Sequence, residues 1–368
     1  MDNNGNGRQQ QSSLGERPLP LVSVVIPAYR CAEYIAQAIQ SVLAQSFSDY
    51  EIIVVNDGSP DTPLIEAALQ KYWDRITYIR QRTRGPSGAR NTGILQARGK
   101  YVAFLDADDY WGSDHLSTQV QLLEENGNLD LVYCDFFLVN AETVVGRAFD
   151  IEPQFPPVTF DSLLIDRCTI GTSTTVMLRE AIVRAGMFDE SFLRCEDFEM
   201  WLRMAFSGCR MAFHPHPQVF HRINDGGLSA DRLAMRRDRI RVYEKIASTL
   251  PISSEQRQVT RDLAREVEAN CHIDEVKEAV EQGDYEAARK SVRLARELRD
   301  RWKLRLSALG LRLAPKLFRR LHLLRSKHLL PHKGLRADVR GPGRPEPVEL
   351  RQDRPTAPVE PFEAGRSR

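Results

Sequence analysis

The 368-residue sequence has almost no net charge: 51 Lys plus Arg stand against 50 Asp plus Glu, a formal +1. Wholesale nucleic-acid binding draws on an excess of cations to neutralise phosphates, so no nucleic-acid partner is expected. Cysteine is scarce and unpaired. Cys31, Cys134, Cys168, Cys195, Cys209 and Cys271 are scattered without a Cys-x-x-Cys pair. Buried thiols in a reduced cytosolic protein fit that pattern better than a disulfide framework or a zinc site. Long apolar runs are also missing, and none approaches the roughly 20 residues of a membrane span. The polar stretch Asn3 to Ser13 carries no apolar core of a signal peptide. A protein facing the cytoplasm is the resulting expectation.

The length exceeds one typical domain, so one large domain with a smaller appendage is anticipated. Residues 1–20 read as a disordered tail. From Leu21 an apolar strand (Val22 to Ile26), a helical spacing of Ile35, Ala38, Ile39, Val42 and Leu43, and a second strand (Glu51 to Val55) alternate. A short strand near Ile76 to Ile79 and a helix from about Ser87 to Ala97 follow. Such alternation predicts right-handed crossovers and a parallel sheet. Further strands are read at Leu129 to Cys134, Phe136 to Val139 and Thr172 to Leu178, with an amphipathic helix at Glu196 to Phe206. The regular domain therefore spans 21–230. Residues 231–333 form a charged α-helical extension with a hairpin between helices near 254–281 and 285–299, and 334–368 a Pro-rich disordered tail.

The most informative segment is Tyr101 to Asp109, an apolar run that ends in Asp106, Asp108 and Asp109. A strand built from Val102, Ala103, Phe104 and Leu105 has no solvated face and suits the centre of a sheet buried on both sides. Ligands bind at the carboxyl ends of strands in open α/β sheets. Acids clustered there repel one another unless a cation sits among them, and hard oxygen donors suit Mg²⁺ or Mn²⁺ holding a diphosphate. Pro27-Ala28-Tyr29 and Asn56-Asp57-Gly58-Ser59 follow the first two strands, so all three loops should converge on one edge. Taken alone, Asp57 is ordinary turn sequence.

Four motifs occur in order: Val24-Val25-Ile26-Pro27-Ala28-Tyr29, Val55-Asn56-Asp57-Gly58-Ser59, Gly88-Ala89-Arg90-Asn91-Thr92-Gly93 and Phe104-Leu105-Asp106-Ala107-Asp108-Asp109. Glu196-Asp197, with Met200-Trp201-Leu202-Arg203 after it, matches a fifth. Over roughly 21–230 the chain resembles the family 2 glycosyltransferases of non-processive bacterial type. The resemblance implies an α/β GT-A fold, a Rossmann-like and mostly parallel central sheet flanked by helices. It also implies inverting transfer of one sugar from a nucleotide-diphosphate donor, UDP-linked by expectation, to a carbohydrate or lipid-linked acceptor in cell-surface polysaccharide or glycolipid synthesis. The family pattern assigns Asp57 to the nucleotide base, with Pro27, Ala28 and Tyr29 lining the base or ribose. Arg90 and Asn91, where a glycine-rich loop opens a helix, are read either as contacts to a donor phosphate or as a structural cap and ion pair with a carboxylate. Arg222 is read as a phosphate partner, and the family pattern assigns Asp106 to the ribose or a metal-bound water. Asp108 becomes the ligand of a divalent cation, Mn²⁺ or Mg²⁺, with Asp106 and His221 beside it. Asp109 is either a supporting partner or the cap of a helix beginning near Ser113. Asp197, with Glu196 as alternate, becomes the base that deprotonates the acceptor hydroxyl. Asn224 stands where the family commonly has a histidine, and no Gln-x-x-Arg-Trp signature of processive synthases is present.

Two rivals are weighed. A nucleotidyltransferase would normally carry a Gly-rich, cationic loop directly after the first strand, and Pro27-Ala28-Tyr29 is not one. A non-catalytic sugar-nucleotide scaffold has no need of acids at every motif. Outside the resemblance, Arg301 to Lys327 holds nine Lys or Arg and no acid, interleaved with Trp302 and a series of leucines. Two readings compete there: an amphipathic helix peripheral to an anionic membrane, or a helix packing its leucines on the main domain.

Overall fold

A computed structural model describes residues 19–327 except 142, 225, 300 and 301. Of the expected tails, only Leu19 and Pro20 fall among the described residues. In chain order the elements are β1 (Val22–Ala28), α1 (Ile35–Leu43), β2 (Tyr50–Asn56), α2 (Thr62–Leu69), β3 (Ile76–Arg80), α3 (Gly85–Gln96), β4 (Tyr101–Phe104) and β5 (Tyr110–Trp111). Then come α4 (His115–Glu125), β6 (Leu131–Asn140), β7 (Thr143–Arg147), α5 (Ala148–Ile151), α6 (Phe160–Leu164), β8 (Thr175–Leu178), α7 (Arg179–Arg184), α8 (Glu196–Phe206) and β9 (Met211–Arg222). Five helices follow: α9 (Arg232–Thr249), α10 (Ser254–Gln282), α11 (Tyr285–Leu298), α12 (Trp302–Leu313) and α13 (Pro315–Lys327).

The strands form one nine-stranded sheet in the order β3-β2-β1-β4-β8-β6-β9-β5, with β7 paired to β6. From β3 to β4 every pairing is parallel. The Tyr101 strand is central as expected, but its other neighbour, β8, runs antiparallel, so the sheet is mixed beyond it. The two strands expected at 129–139 are one, β6, whose register against β9 shifts between Cys134 and Phe136. The long strand β9 has no counterpart in the sequence-based reading; its alternating His, Pro and Gln residues hide an apolar period.

Strand residues alternate strictly between two cores. Val25, Ile53, Val55, Val102 and Phe104 face one side; Val24, Ile26, Ile52, Val54 and Ala103 face the other. Both faces are covered, which is why these strands read as unbroken apolar runs. The chain leaves β1 toward β2 and β3, then returns to β4 on the opposite flank of β1. The carboxyl ends of β1 and β4 are therefore the switch point at which α/β sheets bind ligands.

The helical extension divides in two. Val242, Tyr243, Ile246, Ile252 and Val267 of α9, α10 and the loop joining them belong to the same core as α8 and β4. The hairpin of α10 and α11 instead builds a small separate core from Val276, Val280, Ala288, Val292 and Leu311.

One close approach fixes the donor side of the sheet. A Cβ added at Gly93 of α3 would lie 2.2 Å from Val25 Cγ1 of β1 and 3.1 Å from Val25 Cβ, so α3 or the buried valine would have to move. Overpacking of this kind outweighs the helix-propensity gain of alanine. Gly93→Ala is expected to destabilise the fold by about 2 kcal/mol, read as a lowered midpoint in thermal denaturation; an unchanged or raised midpoint would show that α3 can shift away from β1.

Candidate active site

Three loops from β1, β2 and β4 open on one edge. The Asn56-Asp57-Gly58-Ser59 turn is held from within: Asn56 Oδ1 accepts from the Ser59 amide at 3.0 Å, and Asn56 Nδ2 donates to Thr62 Oγ1 at 2.9 Å. Gly58 has φ +65°, a region that L side chains seldom adopt. The buried Asp57 carboxylate accepts from Gln81 Nε2 at 2.7 Å and from the Arg84 and Gly85 amides at 2.8 Å each. Asp57 thus binds the start of α3 as well as sitting at the end of β2. Beside it, Ala28 is buried, Pro27 is half-buried, and Tyr29 is exposed with the Arg30 guanidinium 5.6 Å from its ring centre.

At the end of β4 the three acids have unequal surroundings. Asp109 is fully buried and well satisfied: Ser173 Oγ donates to it at 2.7 Å, the Arg222 amide at 3.1 Å, and His221 Nδ1 lies 3.1 Å away. It is no helix cap, since α4 begins at His115 behind Asp114. Asp106 is ion-paired to Arg90 at 2.6 Å. Among the described residues, Asn224 Nδ2, at 2.8 Å, is the one side-chain donor to the Asp108 carboxylate. Burial and the charges of Asp109 and Asp106 push its carboxyl well above the usual range. The Asp109 carboxylate holds the His221 imidazole up at about 9.

Arg222 locks this loop to the rest of the site. It donates to the Asp108 carbonyl and to Gln37 Oε1, and its guanidinium lies 5.0 Å from the Tyr34 ring centre and 4.8 Å from that of Tyr110. Buried among these partners, it braces the acidic turn.

The central contact is made by Arg90. From the first turns of α3 it donates to Asp106 Oδ1 at 2.6 Å and to Glu196 Oε1 at 2.7 Å, joining the end of β4 to the start of α8. The ring of Phe188 lies 5.4 Å from its guanidinium. Asn91, next in sequence, is fully engaged with backbone: its Nδ2 donates to the Phe188 carbonyl at 2.8 Å and its Oδ1 accepts from the Phe188 amide at 2.9 Å. Here Asn91 fixes the 188–190 segment under α8.

Helix α8 opens with Glu196, Asp197 and Glu199 in its first turn, where the helix dipole favours anions. The residue before it, Cys195, has φ 58°. Left-handed backbone at a non-glycine costs on the order of 1 kcal/mol and is held only by packing, a feature concentrated at functional sites. Its thiol donates to the Met235 carbonyl of α9 at 3.5 Å. Asp197 Oδ2 accepts from Thr172 Oγ1 at 3.1 Å, and Oδ1 from the Phe198 amide at 2.7 Å. Burial raises the carboxyls of both Glu196 and Asp197, with Arg90 opposing the rise. Glu196 is spoken for by Arg90; Asp197 is half-buried and, among the described residues, has no ion-pair partner.

Thr172 and Ser173 were absent from the sequence-based site. They form a single 3₁₀ turn before β8, and touch Asp197, Asp109 and, through Ser173 Oγ at 3.1 Å, the Asp106 amide. The only signal was a run of four hydroxyl residues, Thr172 to Thr175, interrupting an otherwise apolar segment.

Among the described residues no group of three or more His, Cys, Asp or Glu side chains converges to hold a metal ion. The donor set nonetheless fits a hard cation of the kind that binds through one or two carboxylates and takes its remaining ligands from water and phosphates. Asp108 is the under-compensated oxygen donor, with Asn224 against it. His221 presents its Nδ1 to Asp109, the arrangement that orients metal-ligating histidines.

A parallel half-sheet with three loops converging at its switch point, an acidic turn on the central strand and a second acid pair on a facing helix are the arrangement of the GT-A class of sugar-transferring folds. Residues 23–185 match the family described as Glycosyl transferase family 2, and the chain belongs to that family. It is similar to WfgD of Escherichia coli, a UDP-Glc:alpha-D-GlcNAc-diphosphoundecaprenol beta-1,3-glucosyltransferase, at 32% identity over 50% of this chain and 68% of that protein. An E. coli protein of the same described activity, WfaP, is 26% identical over 58% of this chain and 82% of its own length. An uncharacterized glycosyltransferase of Rickettsia prowazekii is 32% identical, and the chain spans 58% of its length. Among solved structures, S. aureus TarS 1-349 in complex with UDP-GlcNAc superposes with TM-score 0.55 at 17% identity, over 83% of this chain and 91% of that one. Mannosyltransferase PcManGT from Pyrobaculum calidifontis, solved with GDP-Man and Mn2+, gives TM-score 0.52 at 19% identity over 84% of both chains. These two likenesses establish the fold.

Removing Arg90 would leave Glu196 and Asp106 facing each other in a buried site. Arg90→Met is therefore expected to cost about 3 kcal/mol in chemical denaturation near neutral pH, and less at acidic pH, where the stranded carboxyls take up protons; a cost that is independent of pH would show that packing, and not charge, holds this contact.

Proposed function

We propose that this family 2 glycosyltransferase transfers a single sugar, with inversion, from a UDP-activated donor to a hydroxyl of a lipid-linked carbohydrate acceptor. The observation that carries the reading is the Arg90 bridge. One guanidinium ties the carboxylate turn suited to a sugar diphosphate to the helix that presents Asp197. Leaving-group and acceptor chemistry are thereby held in one site.

Asp197 serves as the base. It keeps unshared lone pairs, is partly open to solvent, and has its carboxyl raised by burial, so it accepts a proton more readily than a solvated aspartate. Glu196, paired to Arg90, sets the position of α8 and does not take the proton. Thr172 orients Asp197 through its hydroxyl. On the donor side, Asp57 has a lone pair left for a uracil N–H, with Tyr29 free to pack on the base and Pro27 and Ala28 forming the floor. Asp106 faces the ribose from its Arg90 pairing, and Arg222 holds the Asp108 turn in place. Asp108, assisted by Asp106, Asn224 and His221, would hold Mn²⁺ or Mg²⁺. A bound divalent cation would neutralise charge on the departing nucleoside diphosphate. The UDP preference and the lipid-linked acceptor follow the described activities of the E. coli relatives; inversion follows the family resemblance, and single transfer the absence of a Gln-x-x-Arg-Trp signature from the sequence.

Incubating the purified protein with Mn²⁺, a panel of nucleotide sugars and a lipid-diphosphate acceptor should release UDP and give a product of opposite anomeric configuration. Release of pyrophosphate, or retention of configuration, would overturn the reading. Asp197→Asn is expected to lower kcat about 100- to 10,000-fold with little change in donor affinity. The acid limb of kcat/KM in the wild type should lie above the ordinary aspartate range, because activity is lost as pH falls through a raised carboxyl pKa. A limb at the ordinary aspartate position would remove Asp197 from the role of base.

A further inference from the structure

Helices α12 and α13 carry a surface that the transfer chemistry does not use. Successive helical residues are turned by about 100°, which places Trp302, Leu306, Leu309 and Leu313 within about 60° of one another on α12. They are 66%, 56%, 52% and 71% exposed. Leu304 and Leu311 lie on the opposite side of the helix and are 8% and 0% exposed, and Leu311 is packed in the small core of α10 and α11. The internal packing of α12 is thus complete without the outer leucines. Past the break at Pro315 the stripe continues: Leu317 and Leu321 of α13 share a face and are 56% and 57% exposed. On the inner side of α13, Phe318 packs toward Gly310, and Arg319 donates to the Glu281 carbonyl at 2.8 Å.

The charged residues that α12 and α13 themselves place beside this stripe are of one sign, while Glu281 of α10 meets His322 of α13 at 3.3 Å. Arg312, Lys316 and Arg320 are exposed beside it, and no Asp or Glu occurs between Trp302 and Lys327. A second copy docking stripe to stripe would bring cationic flanks together with no acid in the segment to compensate. An anionic bilayer surface offers both an apolar layer for the leucines and phosphates for the cations.

We propose that α12 and α13 form a docking surface for an anionic phospholipid bilayer, with the Trp302–Leu321 stripe inserted at the headgroup boundary. The proposal deepens the reading of a lipid-linked acceptor, yet its test needs neither donor nor acceptor, so either can fail without the other. The full-length protein is sedimented with phosphatidylcholine vesicles, with and without phosphatidylglycerol. It should pellet with the anionic vesicles only and be released by high salt. Arg312→Gln, Lys316→Gln and Arg320→Gln together should weaken partitioning about 100-fold. Leu309→Glu with Leu313→Glu should weaken it more than tenfold while leaving far-UV circular dichroism unchanged. If a variant loses its fold, tryptophan emission supplies a second measure: it should shift to the blue on adding anionic vesicles in the wild type and not in Trp302→Phe, which keeps Trp73, Trp111 and Trp201. Failure of the wild type to bind anionic vesicles, equal binding to neutral ones, or a loss of self-association in the leucine variant with no effect on vesicle binding would overturn the proposal.

Discussion

The site depends on one buried cation shared between two carboxylates. Arg90 is reached from three directions: α3 supplies it, β4 presents Asp106, and α8 presents Glu196. Each acid alone would be costly to keep ionised beneath the surface, and the guanidinium fork satisfies both at once with directional bonds. Its Nε has no partner among the described residues, so the arrangement is selected for the geometry it imposes and not for complete hydrogen bonding. What it imposes is a fixed spacing between a strand end and a helix start that nothing in the sheet itself would set.

The same logic explains why the acids behave differently although they lie close together. Asp109 is the most deeply buried of its cluster and the best satisfied, because Ser173, His221 and the Arg222 amide close around it. It anchors the turn. Among the described residues Asp108 and Asp197 are the two of these acids with no ion pair, and burial lifts both carboxyls. Carboxylates that a fold leaves under-compensated are the ones free to meet a cation or a proton, which is why the proposed metal-holding and base roles are given to them.

Much of this was readable in the residues. Strands β1 to β4 announced themselves because strands buried on both faces need unbroken apolar runs, and the acids ending β4 stood out against such a run. The hairpin of α10 and α11 was visible through its Gly283 turn, where φ is +82°. What stayed hidden was long-range. Nothing in the spacing of Arg90, Asp106 and Glu196, up to 106 residues apart, says that they meet. Strand β9 could not be read because its pairing with β6, and not its own composition, makes it a strand. Thr172 and Ser173 looked like the start of a strand, and only the closure of β8 against β4 turns their hydroxyls toward the acids.

The helical extension shows why a domain boundary drawn from composition is a poor guide to mechanics. The charged segment after Asp231 reads as an appendage, yet Val242, Tyr243 and Ile246 of α9 pack in the core beneath α8, and Lys245 pairs with Glu199 in the turn that carries Asp197. The Cys195 thiol, bonded to Met235, ties the strained residue before α8 to the same helix. Left-handed backbone at a cysteine persists only if its surroundings over-determine it, and here α9 is part of those surroundings. The position of the candidate base is therefore set from both sides, by Arg90 within the sheet domain and by α9 outside it. The part of the extension formed by α9 and the start of α10 thus meets the helix that carries Asp197 by direct core packing and by the Lys245–Glu199 pair.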